Sequence, residues 1–249
     1  MTVSIFPLGT SRLHEPLESV REDVNFPRVG YFHSSSQMLD VLRLARGDVA
    51  MPLDVARFFF RKDQTPSNSF DLRLWSDPAP SFAHLAGCLA SASGVVVEIS
   101  SPKSYVYKGY HVQGNPNADR SVPYSEVWRE GYYRAYEPQL DVDSFDDTSD
   151  IERNLEVMSR LLTGQGKKLL IVGHLVDPSD PHPVRMANNV SLQSAIKNIK
   201  DNYDIDYYDS SHLVSELGFR QLPDGTLDIH HLPEAGLPRV ADEIMGHFQ

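Results

Sequence analysis

Three short apolar runs constrain this chain more than any other feature. Val3-Ser4-Ile5-Phe6-Pro7-Leu8 stops at Gly9, residues 95–99 read Val-Val-Val-Glu-Ile, and residues 168–173 read Lys-Leu-Leu-Ile-Val-Gly. Runs of this length that do not alternate with polar residues suit strands covered on both faces. Helical patterns separate them. Over 36–46, Met38, Val41, Leu42 and Ala45 share one face, Ser34 and Gln37 have capping-box spacing, and Gly47 stands at the stop. Residues 81–92 form a small-residue helix. Ser149 and Glu152 give a second capping-box spacing ahead of Ile151, Leu155, Met158 and Leu162. A helix over 191–202, a strand over 205–208 and an amphipathic helix over 234–248 complete the series, and 56–60 and 70–75 are weaker strand candidates. Strands alternating with helices predict an α/β three-layer sandwich with a central parallel sheet. One domain over 1–249 is the simplest organisation, with a Tyr-rich insertion or long loop at about 104–140.

Composition narrows the function classes. The chain has 249 residues, 41% of them hydrophobic, with 23 basic against 34 acidic side chains and a formal charge of −11. A single fold of that length buries roughly 70–75% of its unfolded surface, so the core needs no staples. The net acidity argues against nucleic-acid binding, which rests on neutralising phosphates. One cysteine, Cys88, excludes a disulfide framework and a multi-thiolate zinc site and reads as core. No run approaches the ~18 apolar residues of a membrane helix, and the first residues lack a secretory pattern, which makes a cytoplasmic protein the default expectation.

In a parallel sheet the ligand sits beyond the carboxyl ends of the strands. The first strand runs into Gly9-Thr10-Ser11-Arg12, where Ser11 can present a hydroxyl close to backbone N–H groups suited to an oxyanion; the alternative is a serine that merely caps a following helix. Near the other end stands Asp228-Ile229-His230-His231-Leu232, just ahead of the last helix. A carboxylate three residues before a histidine can fix the imidazole's tautomer while the other nitrogen faces a nucleophile. That spacing favours His231 over His230.

The pair of blocks resembles the SGNH hydrolase superfamily, with Gly9-Thr10-Ser11 in place of its G-D-S block and Asp228 to Leu232 in place of D-x-x-H-L. Its GSCFA-type branch is the nearer resemblance, through Asn25-Phe26-Pro27-Arg28-Val29-Gly30-Tyr31-Phe32-His33, the stretch from Glu98 to Tyr107, and Leu170 to His174 followed by Asn188, Asn189 and Ser191. The resemblance implies an SGNH/flavodoxin-like fold, Ser11 as nucleophile, His231 as base and Asp228 as its orienting partner. Two departures stand out. Ser-Ser-Pro-Lys occupies the place of the superfamily's G-x-N-D block, so the oxyanion would rely on the Ser11 and Gly30 amides, with Ser101 or Lys103 as substitutes, and Gly-Thr-Ser replaces the branch's Gly-Ser-Cys.

The expected activity is hydrolysis of a small acyl ester on a carbohydrate or similar polar substrate, without a cofactor. Two alternatives are an O-acetyltransferase of polysaccharide biosynthesis and a noncatalytic glycan- or protein-binding module that keeps the fold. Arg12 and Lys103 could meet an acyl carbonyl or an anionic substrate, and His174 stands in a substrate-side loop. His174, Asp177, Asp180 and His182 match no metal spacing, the acidic run from Asp141 to Asp150 lacks EF-hand intervals, and no metal is expected. Tyr105, Tyr107, Tyr110, Tyr124, Trp128, Tyr132, Tyr133 and Tyr136 crowd the insertion, where they could stack on sugar rings or pack the loop.

Overall fold

The computed structural model describes residues 2–27, 30–52, 55, 79–100, 105–112, 148–173, 175, 183–203 and 205–249. Five parallel strands form the central sheet: β1 (Val3–Leu8), β2 (Val24–Asn25), β3 (Gly94–Glu98), β6 (Lys168–Val172) and β7 (Asp206–Tyr208), in the order β2-β1-β3-β6-β7. Counting these five alone, the order is 2-1-3-4-5, the doubly wound arrangement with its switch point between β1 and β3. The register aligns Leu8 with Val97, Glu98 with Val172, and Val172 with Tyr208, so the carboxyl ends form one edge.

The pleat divides each apolar run between two cores. Phe6, Leu8, Val95, Val97, Ile99, Leu169 and Ile171 face one side. They meet α2 (Ser35–Arg46), α3 (Ala79–Ser91), α4 (Thr148–Thr163) and α5 (Pro183–Asn202). Val3, Ile5, Val96, Leu170 and Val172 face the other, against α1 (Ser11–Ser19), α6 (Ser211–Leu217) and α7 (Leu237–Gly246). This double burial is why the runs do not alternate.

Pro7 is an unusual residue for an interior strand. The Gly9 carbonyl accepts the Phe32 N–H at 2.9 Å on the β2 side, which puts Pro7 on that side too. There, among the described residues, β2 pairs with Val3 and Ser4 and the next contact is the Gly9–Tyr31 bridge. The missing N–H therefore falls in a gap of the ladder.

Helix boundaries follow the capping chemistry where it is local. Ser34 and Gln37 form a reciprocal capping box on α2, and Gly47 closes it at φ 76°. Three boundaries differ from expectation. Helix α4 begins at Thr148, so Ser149 lies in its first turn instead of capping it. Helix α5 begins at Pro183, whose φ suits a first helical position, and Asn188, Asn189 and Ser191 are inside it. The last helix is split into a 3-10 turn (Glu234–Gly236) and α7, with Pro238 in the first turn of the new helix. Helix α1 escapes a periodicity reading because Pro16 interrupts it, removing the bond to the Arg12 carbonyl.

Of the insertion, residues 105–112 are described: a hairpin of β4 (Tyr105–Tyr107) and β5 (Tyr110–Val112) with Lys108 and Gly109 at φ 50° and 81°. Two positive φ values match the twist of a two-residue hairpin turn. The His111 amide and ring both bond Asp40 of α2 at 3.0 Å. The strand candidates at 56–60 and 70–75 lie outside the described residues. Cys88 is half-buried at the margin of the core, and burial pushes its thiol up. Among the described residues no helix is long and apolar enough to cross a membrane.

The contacts of two glycines predict opposite outcomes. A Cβ at Gly94 would lie 2.6 Å from the Lys168 carbonyl and 2.4 Å from the Phe248 ring, so Gly94→Ala should cost about 1–3 kcal/mol. A Cβ at Gly87, inside α3, meets nothing within 4 Å, and Gly87→Ala should stabilise by roughly 0.4–1 kcal/mol. Urea unfolding of the two variants checks both signs.

Candidate active site

The turn from β1 into α1 is built around a buried carboxylate. Gly9 lacks a Cβ because one would stand 3.0 Å from the Cβ of Glu98 and from Leu13. Past this close approach Thr10 takes the N-cap position in an extended conformation, but its side chain makes no cap bond. The Thr10 amide and hydroxyl both donate to Glu98 Oε2, at 3.0 and 2.6 Å. Arg12 Nε pairs with Glu98 Oε1 at 3.2 Å, with side chains only 11% and 1% exposed. The ion pair thus fixes the residues on either side of Ser11, which becomes the first residue of α1. First-turn amides have no intrahelical partner, and the helix dipole puts partial positive charge there.

At the opposite end of the chain, strands β8 (Arg220–Gln221) and β9 (Leu227–Asp228) make a small antiparallel hairpin. Asp228 closes a turn: its carbonyl accepts the His231 N–H at 3.2 Å and its Oδ1 accepts the His230 N–H at 3.1 Å. Its Oδ2 lies 2.7 Å from His231 Nδ1. A carboxylate can only accept, so Nδ1 carries the proton and Nε2 is left as an acceptor in the neutral ring. Ser11 Oγ lies 2.7 Å from that Nε2. Burial pulls the Asp228 carboxyl upward, but the His230 amide and the His231 ring outweigh it and hold it below the usual aspartate range. Ser11, His231 and Asp228 therefore form one hydrogen-bonded chain, and it is His231, not His230, whose ring spans it.

The other expected residues are distributed as follows. Arg12 is ion-paired with Glu98, and both line a cleft with His231. Gly30 is buried at φ 134°, and the adjacent Tyr31 bridges Gly9, which lays the Gly30 segment beside the end of β1. Ser101, Lys103 and His174 lie outside the described residues. Just past the carboxyl end of β3, Ser100 Oγ is 2.9 Å from His33 Nδ1, and the Ser100 amide donates to the His33 carbonyl at 2.9 Å. The Gln37 side chain accepts the His33 N–H at 3.0 Å.

Two residues of the site escape a sequence reading. Glu98 had one signal, a lone charge inside an apolar strand run, which a low-dielectric interior tolerates only with partners. Glu15 had none. It stands one turn after Ser11 on α1, with Oε1 4.0 Å from His231 Nε2 and Oε2 ion-paired to Arg220. A small cleft adjoins these groups, lined in part by Arg12, Glu15, Glu98, Gly173, Ser210 and His231.

Residues 3–139, more than half of the chain, match the family described as the TviD N-terminal domain. That stretch contains Ser11, Arg12, Gly30 and Glu98 and stops short of Asp228 and His231. It is a different family from the GSCFA-type branch that the internal blocks resemble. No curated protein matches the chain. Solved structures similar to it include the aryl esterase of M. smegmatis, at 12% identity over 99% of this chain and 98% of that one, with a TM-score of 0.45. The psychrotrophic esterase EstA of Pseudoalteromonas sp. is 10% identical over 98% and 94%, with a TM-score of 0.42. A variant of Axe2, an acetyl-xylooligosaccharide esterase from Geobacillus, is 10% identical over 100% and 96%, with a TM-score of 0.43.

Removing the buried carboxylate should be costly. Glu98→Ala strands Arg12 in an apolar setting and should destabilise by about 3–5 kcal/mol, whereas Glu98→Gln keeps an acceptor for Thr10 and should cost less; urea unfolding at neutral pH measures both. The His33 ring gives a pH dependence. Burial lowers its pKa, with Glu98 opposing and Arg12 adding to the effect. The unfolded chain then binds a proton that the folded one resists, so stability is lost as pH falls below about 6.5. A His33→Asn variant should show a shallower loss between about pH 6.5 and 5 when its unfolding free energy is followed beside the wild type.

Proposed function

The chain belongs to the TviD N-terminal domain family, and from that premise we propose that it is an SGNH-like serine hydrolase of small acyl esters, with Ser11 as nucleophile, His231 as general base and Asp228 as its orienting partner. The observation that carries this reading is the pair of 2.7 Å contacts linking Ser11 Oγ, the His231 ring and Asp228, across 220 residues of sequence between serine and histidine. His231 Nε2 takes the hydroxyl proton as Oγ attacks the ester carbonyl. Asp228 stabilises the imidazolium that results without taking the proton itself, and His231 then delivers the proton to the leaving alkoxide. The first-turn amide of Ser11 and the Gly30 segment are the groups we assign to the oxyanion. For the substrate we favour an acetyl-sized group on a sugar or similar polar alcohol. The support is the density of tyrosines in the insertion, whose flat faces suit sugar rings and whose hydroxyls suit polar acceptors.

A fluorophosphonate probe tests the reading directly. The wild type should be labelled on Ser11, and Ser11→Ala and His231→Ala should take up no label. Asp228→Asn, which leaves the ring without its carboxylate, should lower kcat on p-nitrophenyl acetate by about 10⁴. Absence of label on folded wild-type protein would sink the enzyme reading and leave a binding module in its place. Product analysis on an acetylated sugar, with and without a second sugar as acceptor, separates hydrolysis from acyl transfer.

A further inference from the structure

We infer that Glu15 holds the water that hydrolyses the acyl-enzyme, an assignment that rests on the ester-hydrolase reading of the same site. Helix α1 places Glu15 four residues after Ser11, on the same face one turn along. The two carboxylate oxygens have different surroundings. Oε2 is ion-paired with Arg220 Nη2, while Oε1 points toward His231 Nε2 at 4.0 Å. Arg220 is itself fixed to the histidine loop, its Nε donating to the Leu232 carbonyl at 3.3 Å and its amide to the His231 carbonyl at 2.9 Å. The carboxylate is therefore pinned from one side and directed at the general base from the other.

Before acylation Nε2 accepts the Ser11 hydroxyl. Once Oγ has become an ester oxygen that hydrogen bond is gone, and Nε2 is open to an incoming nucleophile. Two groups 4.0 Å apart cannot hydrogen-bond each other directly, but a water about 2.8 Å from each would see them at about 90°. That is close to the angle between its own two O–H bonds. One O–H donates to Nε2 and the other to Glu15 Oε1, which leaves an oxygen lone pair for the acyl carbonyl. As the water oxygen bonds to that carbon, its first proton passes to Nε2. When the tetrahedral species collapses, the carbon–Oγ bond breaks and the same proton returns to Ser11. The second proton stays on the oxygen throughout and leaves with the carboxylic acid. Arg220 keeps the Glu15 carboxylate paired, so it acts as an acceptor that aims the water and not as a competing base.

Steady-state kinetics on p-nitrophenyl acetate, beside intact-protein mass spectrometry, tests the assignment. In Glu15→Ala, kcat/KM, which reports acylation, should stay within about twofold, while kcat falls about ten- to hundredfold and acetylated Ser11 accumulates. Glu15→Gln keeps an acceptor oxygen at the same reach and should restore most of kcat. Glu15→Met preserves the packing of the side-chain stem without an acceptor and should behave like Glu15→Ala, which keeps the test open if the alanine variant folds poorly. Equal losses in kcat and kcat/KM, or an unchanged kcat in both acceptor-free variants, overturn the role. A wild type that takes up no fluorophosphonate overturns the hydrolase reading itself, a result distinct from a labelled, active wild type whose Glu15 variants deacylate normally.

Discussion

One buried carboxylate organises the serine turn at the sheet edge of this protein. Glu98 ends a strand that is otherwise aliphatic, in an interior where an unpaired charge is prohibitive. Oε2 accepts from the Thr10 amide and hydroxyl and Oε1 is ion-paired with Arg12, all from the turn that follows the neighbouring strand. The demand for partners therefore dictates the path of the β1–α1 turn. Ser11, between the two residues so held, has little freedom in where it points. Gly9 completes the arrangement by omission, since any side chain there would displace the Glu98 stem or Leu13.

The fold was legible where local chemistry and burial agree. Apolar runs such as 168–172 could only be strands covered on both faces, and the Ser34–Gln37 box with Gly47 marked both ends of α2 because capping is a matter of a few adjacent residues. The Asp228–His231 spacing was legible for the same reason: the turn that joins the two residues is local. What failed to show was non-local or contradicted a rule of thumb. Pro16 concealed α1. Arg12, adjacent to the serine, pairs with Glu98, a partner 86 positions away that no spacing could nominate. The Glu15–Arg220 pair spans 205 residues and exists only because α1 and the late hairpin pack together.

The two layers of helices contribute unequally to the site. Ser11 and His231 come from the face covered by α1 and α7, whose side chains share one core with Val96, Leu170 and Val172. The opposite layer supplies His33 and Ser100, tied to the cap of α2 through Gln37. The two sets meet at the carboxyl edge of β1 and β3, where the strand order reverses and an open α/β sheet leaves a crevice. A helix N-terminus and a buried guanidinium lie on the serine side, and the Asp228 carboxylate, kept ionised by the His230 amide and His231, lies behind the imidazole.

The hydrogen bond between Ser11 and His231 joins residues 220 positions apart, and that separation has a temporal meaning. During synthesis the β1–α1 turn emerges before the β8–β9 hairpin, and until the hairpin follows, its serine is an ordinary hydroxyl at the head of a short helix. Its histidine partner arrives only when the β8–β9 hairpin has been made. The Ser11–His231–Asp228 chain of hydrogen bonds is in this sense a late-arriving property, formed when the hairpin closes on the turn. A partly made chain, or one cut between the two, carries the serine without the imidazole.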